Sequence, residues 1–455
     1  MHGNKTSPRR PHAAAPPRRP PRWWPWLVAA PAVACLTAAC TSAAATVTST
    51  TAASESASPK SAASGASAMA GMVNCAPPGT KQSPCYSPQA YQVAYGTAPL
   101  LARGIDGSGE TVVMPELAQT PSSGGTDIRK DLAAFDKTFG LPAAKLNVIT
   151  TVARSATPYL ANGEEVTDTE MVHAIAPGAV LDVVLVPAGA TSSSADFAAA
   201  ITKVIQQGAA LHAAVVSVSA SAGEHFLTRA EVTAMNAALE QARGQHVTVV
   251  AAAGDDGAIS SHPAGPPVEV SMPASDPLVL GVGGTELDAA PAGTYQGEMA
   301  WNGGDDASGG GYSSLFPRPS YQNGVARAGA GRAGSGRGVP DVAANAYSGT
   351  AMAEEFGDGE LRAATGTSAS TPLWAAVIAL ADQAAGHPLG FVNPALYAVA
   401  RSPAYHQAFH DVVTGDNSVL SPSGVFIGYN AGPGWDPVTG WGSPDARYLV
   451  PLLAH

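Results

Sequence analysis

A serine stands in a glycine-containing turn, at a position where it could act as a nucleophile. Residues 366–370 read Gly-Thr-Ser-Ala-Ser and are followed by an apolar run with helical character. The N–H groups and the positive dipole end of that helix would favour negative charge that forms near Ser368. A polar loop that ends in a helix N-cap is the simpler interpretation of the same residues. The nucleophile interpretation requires a neighbouring base that accepts the serine proton.

Two carboxylates are better placed as that base than any histidine. No His-Gly-Thr-His-like segment precedes the serine, although histidine is the usual base for a nucleophilic serine. On a predicted helix over residues 164–176, Asp168 lies at about 40° from Glu164 and Met171 at about −20°, whereas His173 lies at about 180°. The two carboxylates therefore share the apolar, core-facing stripe of the helix, and the histidine points away from it.

The environment of Glu164 and Asp168 decides what the pair can do. An acidic first turn that is stabilised by the helix dipole and exposed to water is the ordinary interpretation. Their position among apolar residues argues against it, because an unpaired charge in the interior is costly. Two neighbouring carboxyls in such a place share one proton, which separates their titrations. One of them can then act as a base in acid solution.

The composition permits a large folded domain and excludes one class of partner. Of the 455 residues, 45% are hydrophobic and 13% are charged, against about 25% charged in an ordinary soluble domain. A protein with few ion pairs loses little when acid protonates its carboxylates, which fits activity at low pH. Without residues 1–39 the chain carries 18 basic and 35 acidic residues, a net charge of −17. This acidic balance argues against nucleic acid as a partner.

Residues 1–39 have the features of an export signal. Six basic residues and no acid precede an apolar stretch, residues 26–36, that is too short for a comfortable membrane span. The ending Leu-Thr-Ala-Ala-Cys resembles a bacterial lipobox, in which Cys40 would be lipidated and become the new N-terminus; plain secretion is the alternative. We expect a protein outside the cell that contacts a membrane only through such a lipid. Residues 40–74, rich in Ser, Thr and Ala, are predicted to be a tether without a core.

Residues 75–455 are predicted to form a single large domain. From residue 86 onward, apolar β-runs alternate with amphipathic helical stretches, which indicates an α/β fold with a mostly parallel sheet and helices on both faces. Strands are predicted over residues 111–116, 147–152, 180–186, 215–219, 247–253 and 278–282, and helices over residues 127–139, 164–176, 195–207, 229–243 and 369–385. Residues 301–338, rich in Gly, are predicted to be a long irregular loop. Cys75 and Cys85 are predicted to form a disulfide, as expected of an exported chain.

Four motifs, in order along the chain, resemble the sedolisin family, the serine-carboxyl peptidases. They are Gly-Glu at 163–164 with Asp168 and residues 173–179, then residues 252–257, residues 366–368 and residues 431–437. Weaker matches lie at residues 309–313 and 340–345. The resemblance covers the chain from about residue 86 to its end. It implies a subtilisin-like, doubly wound catalytic domain that hydrolyses protein or peptide substrates in acidic surroundings, and we expect a monomer.

The resemblance also implies a role for each residue of the site. Ser368 would be the nucleophile, Glu164 the general base and Asp168 the carboxylate that orients and tunes the base. Asp255 would stand in the oxyanion hole, where it must be protonated because an ionised carboxylate repels the developing oxyanion. Taken alone, Gly-Asp-Asp-Gly at 254–257 is typical of a turn after a strand.

One structural Ca²⁺ site near the C-terminus is a further implication of the resemblance. Its oxygen ligands would be two carboxylates and three backbone carbonyls, from Asp411, Asp436, Val412, Gly432 and Gly434. Calcium takes roughly six to eight oxygen ligands, and glycine lets the chain turn its carbonyls inward. Taken alone, residues 433–442 are typical of a surface loop.

The sequence departs from the family pattern in two places. Family members often carry a folded pro-segment, for which the tether leaves no room, so we expect folding without help or with a separate chaperone. Some relatives extend the carboxylate pair by a further Glu and a Trp; Glu116 fits the first, but Ala220 stands at the Trp position.

Two other functions stay open: a neutral subtilisin-type protease with a histidine base, and an inactive, calcium-stabilised binding protein of the cell surface. Endopeptidase and tripeptidyl-peptidase action both fit the sequence.

Overall fold

The structure is a computed structural model. It describes residues 71–76, 83–117, 125–150, 163–186, 193–259, 268–324, 334–357, 359–421 and 424–455. The predicted export signal, Cys40 and nearly all of the predicted tether lie outside the described residues. Within the described residues, none of the helices has the length and apolar character of a membrane span.

An eight-stranded sheet forms the centre of the domain. Its strands are β1 (Thr111–Leu117), β2 (Lys145–Thr150), β3 (Val180–Val186), β4 (Val215–Val218), β5 (Thr248–Ala252), β6 (Leu280–Ala289), β7 (Tyr295–Ala300) and β8 (Val342–Asn345). The order across the sheet is β7-β6-β5-β4-β1-β3-β2, and β8 pairs with β6. Every pairing is parallel except that of β6 with β7. The winding direction of the chain therefore reverses between the neighbouring strands β1 and β4.

Ten α-helices lie around this sheet in the part of the chain that the structure describes. They are α1 (Pro88–Ala94), α2 (Ala98–Leu101), α3 (Ile128–Phe139), α4 (Gly163–Ile175), α5 (Ser194–Gly208), α6 (Arg229–Gly244), α7 (Thr367–Ala385), α8 (Asn393–Ala400), α9 (Tyr405–Ala408) and α10 (Ala446–Leu453). α4 packs against α7, which lies on β4, β5, β6 and β8, while α5 and α6 pack together. Because side chains alternate along a strand, Val112 and Met114 of β1 join the core with α4 and α7, whereas Val113 joins the core with α5 and α6. Both faces of the sheet are thus covered, which confirms the predicted doubly wound α/β fold.

Short antiparallel pairs of strands complete the structure. They are Met72–Asn74 with Pro84–Tyr86, Ala222–Gly223 with Ser271–Met272, Gly311–Pro317 with Gly336–Val339, Ala353–Glu355 with Leu361–Ala363, Phe409–His410 with Ser443–Pro444, and Val419–Ser421 with Gly424–Phe426. A disulfide between Cys75 and Cys85 joins the first pair, which confirms the predicted bridge.

The prediction of a long irregular loop over residues 301–338 is wrong in part. Gly311–Pro317 pairs with Gly336–Val339, as an antiparallel pair with a register shift. The glycines of this region serve close backbone contact: a Cβ on Gly310 would lie 2.1 Å from the carbonyl oxygen of Pro437, and one on Gly336 would lie 2.0 Å from that of Ser313. The glycine content therefore reflects tight packing rather than an extended loop.

The start of α7 places the candidate nucleophile. The helix is apolar and buried along most of its length, and it begins after Gly366, whose φ of 78° lies in the left-handed region that favours glycine. Pro372 lies inside the helix and has no N–H. The carbonyl of Ser368, four residues earlier, therefore receives no helical hydrogen bond and is available to another donor.

Candidate active site

The candidate site lies where the winding of the sheet reverses. Glu116 stands near the carboxyl end of β1, Ser219 directly follows β4, and Asp255 comes three residues after β5. Ligands of open α/β sheets bind outside the carboxyl ends of the strands at such a reversal. α4 and α7 add the predicted base, its partner carboxylate and the nucleophile to the same place.

Ser368 is the second residue of α7 and is half-buried. Its hydroxyl donates to the carbonyl of Ser219, with an Oγ–O distance of 3.2 Å. The carboxyl of Glu164 is a second hydrogen-bond partner of the hydroxyl. The serine proton thus has two acceptors, and one of them is the predicted general base.

Glu164 lies in the first turn of α4 and faces the serine. The residue keeps some exposure, while its Oε1 atom is buried. Burial and the neighbouring charge of Asp168 raise the pKa of the Glu164 carboxyl well above its usual range, and the hydrogen bond with Ser368 opposes that rise. A carboxyl with a raised pKa is a stronger base once it is ionised.

Asp168 connects this base to further polar groups. The residue is buried, and its Oδ1 accepts a hydrogen bond of 2.7 Å from the Ser219 hydroxyl. A second hydrogen bond joins it to the carboxyl of Glu116. Burial raises the pKa of Asp168 to about 7, although both hydrogen bonds lower it. Its pKa is therefore set by opposing effects, with burial the larger.

The carboxyl of Glu116 is hydrogen-bonded to that of Asp168. Burial and the charge of Asp168 raise the pKa of Glu116 well above its usual range. Oε1 of Glu116 and Oδ2 of Asp168 are both buried and have no hydrogen-bond donor among the described residues. A protonated Glu116 that donates to Asp168 satisfies this arrangement. The predicted extension of the pair through Glu116 fits this contact, and Ala220 supplies no polar side chain.

Asp255 is held against the start of α7. Its Oδ1 accepts hydrogen bonds from the N–H and the hydroxyl of Thr367, at 2.8 Å and 2.7 Å. Burial raises the pKa of Asp255, and these hydrogen bonds oppose the rise. Since Oδ1 accepts both bonds, the proton of a neutral Asp255 belongs on Oδ2. A Cβ on Gly366 would lie 2.6 Å from Oδ2, so only glycine leaves room for the carboxyl.

His173 takes a different place from the one its helical position predicted. It was expected to point away from the core, but its side chain is fully buried and its Nε2 lies 2.9 Å from Oδ1 of Asp136 and from the carbonyl of Pro142. The expectation assumed one buried helix face, whereas α3 and the strand Ala353–Glu355 cover other faces of α4. In the described part of the chain, the histidine contacts α3 and not Ser368.

The five residues predicted to bind Ca²⁺ lie together in the structure: Asp411, Val412, Gly432, Gly434 and Asp436. The N–H of Gly434 lies 3.1 Å from both carboxylate oxygens of Asp411, and that of Gly432 lies 3.1 Å from Oδ2 of Asp436. The hydroxyl of Thr439 lies 3.0 Å from the same Oδ2 and 3.5 Å from the carbonyl of Val412. The described residues contain no group of three or more His, Cys, Asp and Glu side chains suited to a metal. A cation here would depend on backbone carbonyls in addition to the two carboxylates.

Sequence analysis did not identify Ser219 and Thr367 as parts of the site. Thr367 stood inside the serine motif, and Ser219 ended a predicted strand, which is where functional residues of a parallel sheet are found. Ser219 is 51 positions from Asp168 along the chain. Only the order of the strands brings the two residues into contact.

Known proteins are similar to this chain in sequence and in fold. A family model described as the subtilase family matches residues 154–405. The chain is 37% identical to kumamolisin of Bacillus sp. (strain MN-32) over 382 residues, which cover 82% of this chain and 64% of kumamolisin. It is 33% identical to tripeptidyl-peptidase 1 of Homo sapiens over 257 residues, which cover 53% of this chain and 43% of that protein. The chain thus spans less than two thirds of each of these relatives.

A solved structure shares the fold. Pseudomonas sedolisin, described as a serine-carboxyl proteinase complexed with two molecules of pseudo-iodotyrostatin, superposes with a TM-score of 0.67 at 28% sequence identity. The match covers 80% of this chain and 96% of that chain. The two proteins therefore share their fold over most of this chain.

Proposed function

Since the chain belongs to the subtilase family, in the sedolisin group that its sequence resembles, we propose that it hydrolyses peptide bonds in acidic surroundings with Ser368 as the nucleophile. One observation carries the proposal: the hydroxyl of Ser368 is hydrogen-bonded to Glu164, and the neighbouring charge of Asp168 raises the pKa of the Glu164 carboxyl. Within the described residues, His173, the histidine of α4, faces Asp136 of α3 and not Ser368. The substrates would be proteins or peptides.

The proposed reaction moves the proton of Ser368 through Glu164 to the leaving group. As Oγ of Ser368 attacks the substrate carbonyl, Glu164 accepts its proton and Asp168 keeps the base in place. The proton then passes from Glu164 to the leaving amine, and a water molecule cleaves the acyl-enzyme by the same route in reverse. A general base works best when its pKa lies near the working pH. Burial and the like charge of Asp168 raise the pKa of this base above its usual range, towards the pH of the medium in which it would act.

Asp255 is proposed to stabilise the tetrahedral intermediate. Oδ1 is occupied by two donors from Thr367, so a neutral carboxyl would present the Oδ2 hydroxyl. Such a hydroxyl donates to the oxyanion, whereas an ionised carboxylate repels it. The raised pKa of the buried Asp255 favours the neutral form.

The place of action remains a prediction from the first 40 residues. The basic and apolar segments of residues 1–39 favour export, and Cys40 would carry a lipid if the lipobox is used. Both features lie outside the described residues. The proposed setting is the outer face of the membrane or the surrounding medium.

Replacement of the nucleophile tests the proposal. We expect Ser368→Ala to lower kcat/KM for casein or a peptide substrate by at least about 10³-fold, by analogy with other serine nucleophiles. Ser370→Ala is the matched control, because its buried hydroxyl donates to the Thr367 carbonyl within the same helix. Unchanged activity in Ser368→Ala would place the reaction elsewhere. A wild-type protein without activity at any pH would favour the binding-protein alternative.

Replacement of Asp255 tests the oxyanion role through the pH profile of kcat/KM. Activity should fall as the pH rises through the raised pKa of Asp255, because the donor is then lost. Asp255→Asn keeps a donor at every pH, so we expect the alkaline limb to move to higher pH.

A neighbouring carboxylate supplies a control of opposite sign. The charge of Asp256 helps to raise the pKa of Asp255. Asp256→Asn should therefore move the alkaline limb slightly to lower pH. An alkaline limb that stays in place in both variants would contradict the oxyanion role.

We also propose one structural Ca²⁺ ion between the segment that contains Asp411 and the segment that contains Asp436. The donor set fits a hard cation, since it consists of carboxylate and carbonyl oxygens. The carbonyls of Gly432 and Gly434 accept no backbone hydrogen bond within the described ranges. Bound calcium would join residues 411–412 to residues 432–436 and take no part in proton transfer.

Chelation tests the calcium proposal. At a calcium concentration a hundred times its Kd, binding stabilises the folded state by about 2.7 kcal/mol, and a chelator should remove this stability. We expect a lower Tm in excess chelator for the wild type and no such shift for Asp411→Asn. Asp416→Asn is the control, because this nearby carboxylate accepts from the N–H of Ser418 and should leave the shift intact. An equal Tm with and without chelator would rule the site out.

A further inference from the structure

We propose that Ser219 is a positioning residue, which holds Asp168 and Ser368 in register through its hydroxyl and its carbonyl. The proposal rests on the proposed peptidase function. Ser219 is an uncharged residue that β4 brings to the carboxyl pair. The role of its side chain can be tested separately from that of its backbone.

Ser219 contacts both Asp168 and Ser368. The residue is buried at the carboxyl end of β4. Its Oγ lies 2.7 Å from Oδ1 of Asp168 and 3.3 Å from the carbonyl oxygen of Ser368. Its own carbonyl accepts from Oγ of Ser368 at 3.2 Å. One residue therefore contacts the partner of the base and both polar groups of the nucleophile.

The start of α7 leaves the carbonyl of Ser368 open to contact with Ser219. Pro372 has no N–H, so the carbonyl of Ser368 lacks the helical partner that it would otherwise have. The Ser219 hydroxyl is the donor that lies beside it. A hydroxyl has one hydrogen to donate, and the shorter contact indicates that Asp168 receives it in the state described. The Ser368 carbonyl is then a second acceptor at a longer distance.

Ser219 is also an uncharged hydrogen-bond donor to Asp168 among several carboxyl groups. The titratable groups that face Asp168 are carboxyls from three elements: Glu164 of α4, Glu116 of β1, and Glu354 of the strand Ala353–Glu355. Arg362 faces Glu354. The hydrogen bond from Ser219 favours the ionised form of Asp168. Without it, Asp168 would hold its proton more tightly and would keep only its hydrogen bond with Glu116.

The side chain and the backbone of Ser219 have different roles. The carbonyl accepts the Ser368 proton while that proton is not donated to Glu164, and this contact does not depend on the side chain. The hydroxyl fixes Asp168. Replacement of the side chain therefore removes one role and leaves the other, which makes the proposal testable.

Three variants test the role of the hydroxyl. We expect Ser219→Ala to lower kcat roughly 10- to 100-fold with little change in KM, as for the loss of a hydrogen bond to a charged group. Its acid limb should move to higher pH, because the carboxyl cluster then loses its proton less readily. Ser219→Thr keeps a hydroxyl and should restore both quantities. Ser217→Ala is the matched control: it lies two residues earlier in β4, and its buried hydroxyl has no partner among the described residues.

A double-mutant cycle separates this role from general damage. If Ser219 acts through Asp168, then Ser219→Ala should cost less than about threefold when it is added to Asp168→Asn. A full effect in that background, or equal effects of Ser219→Ala and Ser217→Ala, would overturn the proposal.

A titration keeps the proposal testable even if no peptidase activity is found. In a Ser368→Ala background, ¹³C NMR of labelled aspartate reports the protonation of Asp168 without any turnover. We expect Ser219→Ala to raise the pKa of Asp168 and Ser217→Ala to leave it in place. An unchanged pKa would overturn the proposal, whereas an inactive wild type with a shifted pKa would overturn only the peptidase function.

Discussion

The site depends on one constraint: two buried, neighbouring carboxyls cannot both carry a full charge. Glu164 and Asp168 lie one helical turn apart, and burial raises the pKa of both. Such a pair shares a proton, and its remaining charge can accept another from a nearby hydroxyl. A histidine base would be protonated in acid and could not do this. In the proposed mechanism, the charge that remains on the carboxyl pair accepts the proton of Ser368 in acid.

The fold supplies what this constraint requires. The reversal of winding between β1 and β4 brings Glu116 and Ser219 to the carboxyl pair, and both satisfy Asp168 without adding a positive charge. α7 begins at a glycine that leaves room for the Asp255 carboxyl. Pro372 leaves the carbonyl of Ser368 without a helical bond. Together, these local features hold the polar groups of the site against one another.

Much of this arrangement could be predicted from the sequence, because it depends on local periodicity. β3 was predicted with its observed bounds, and the helical period placed Glu164 and Asp168 on one side of α4. The burial of His173 could not be predicted, since a helical wheel does not show which neighbours cover the second face. The partners of Ser219 also escaped prediction. They depend on strand order, which is a long-range property of the chain.

The pH dependence of kcat/KM in two variants tests the carboxyl base most directly. Glu164→Gln keeps the size of the side chain and removes its ability to accept the proton, whereas His173→Gln changes the only histidine of α4. The account predicts a loss of at least about 10³-fold at every pH for Glu164→Gln. A folded His173→Gln should keep the acid profile of the wild type. Full activity in Glu164→Gln, with a neutral optimum that disappears in His173→Gln, would contradict it.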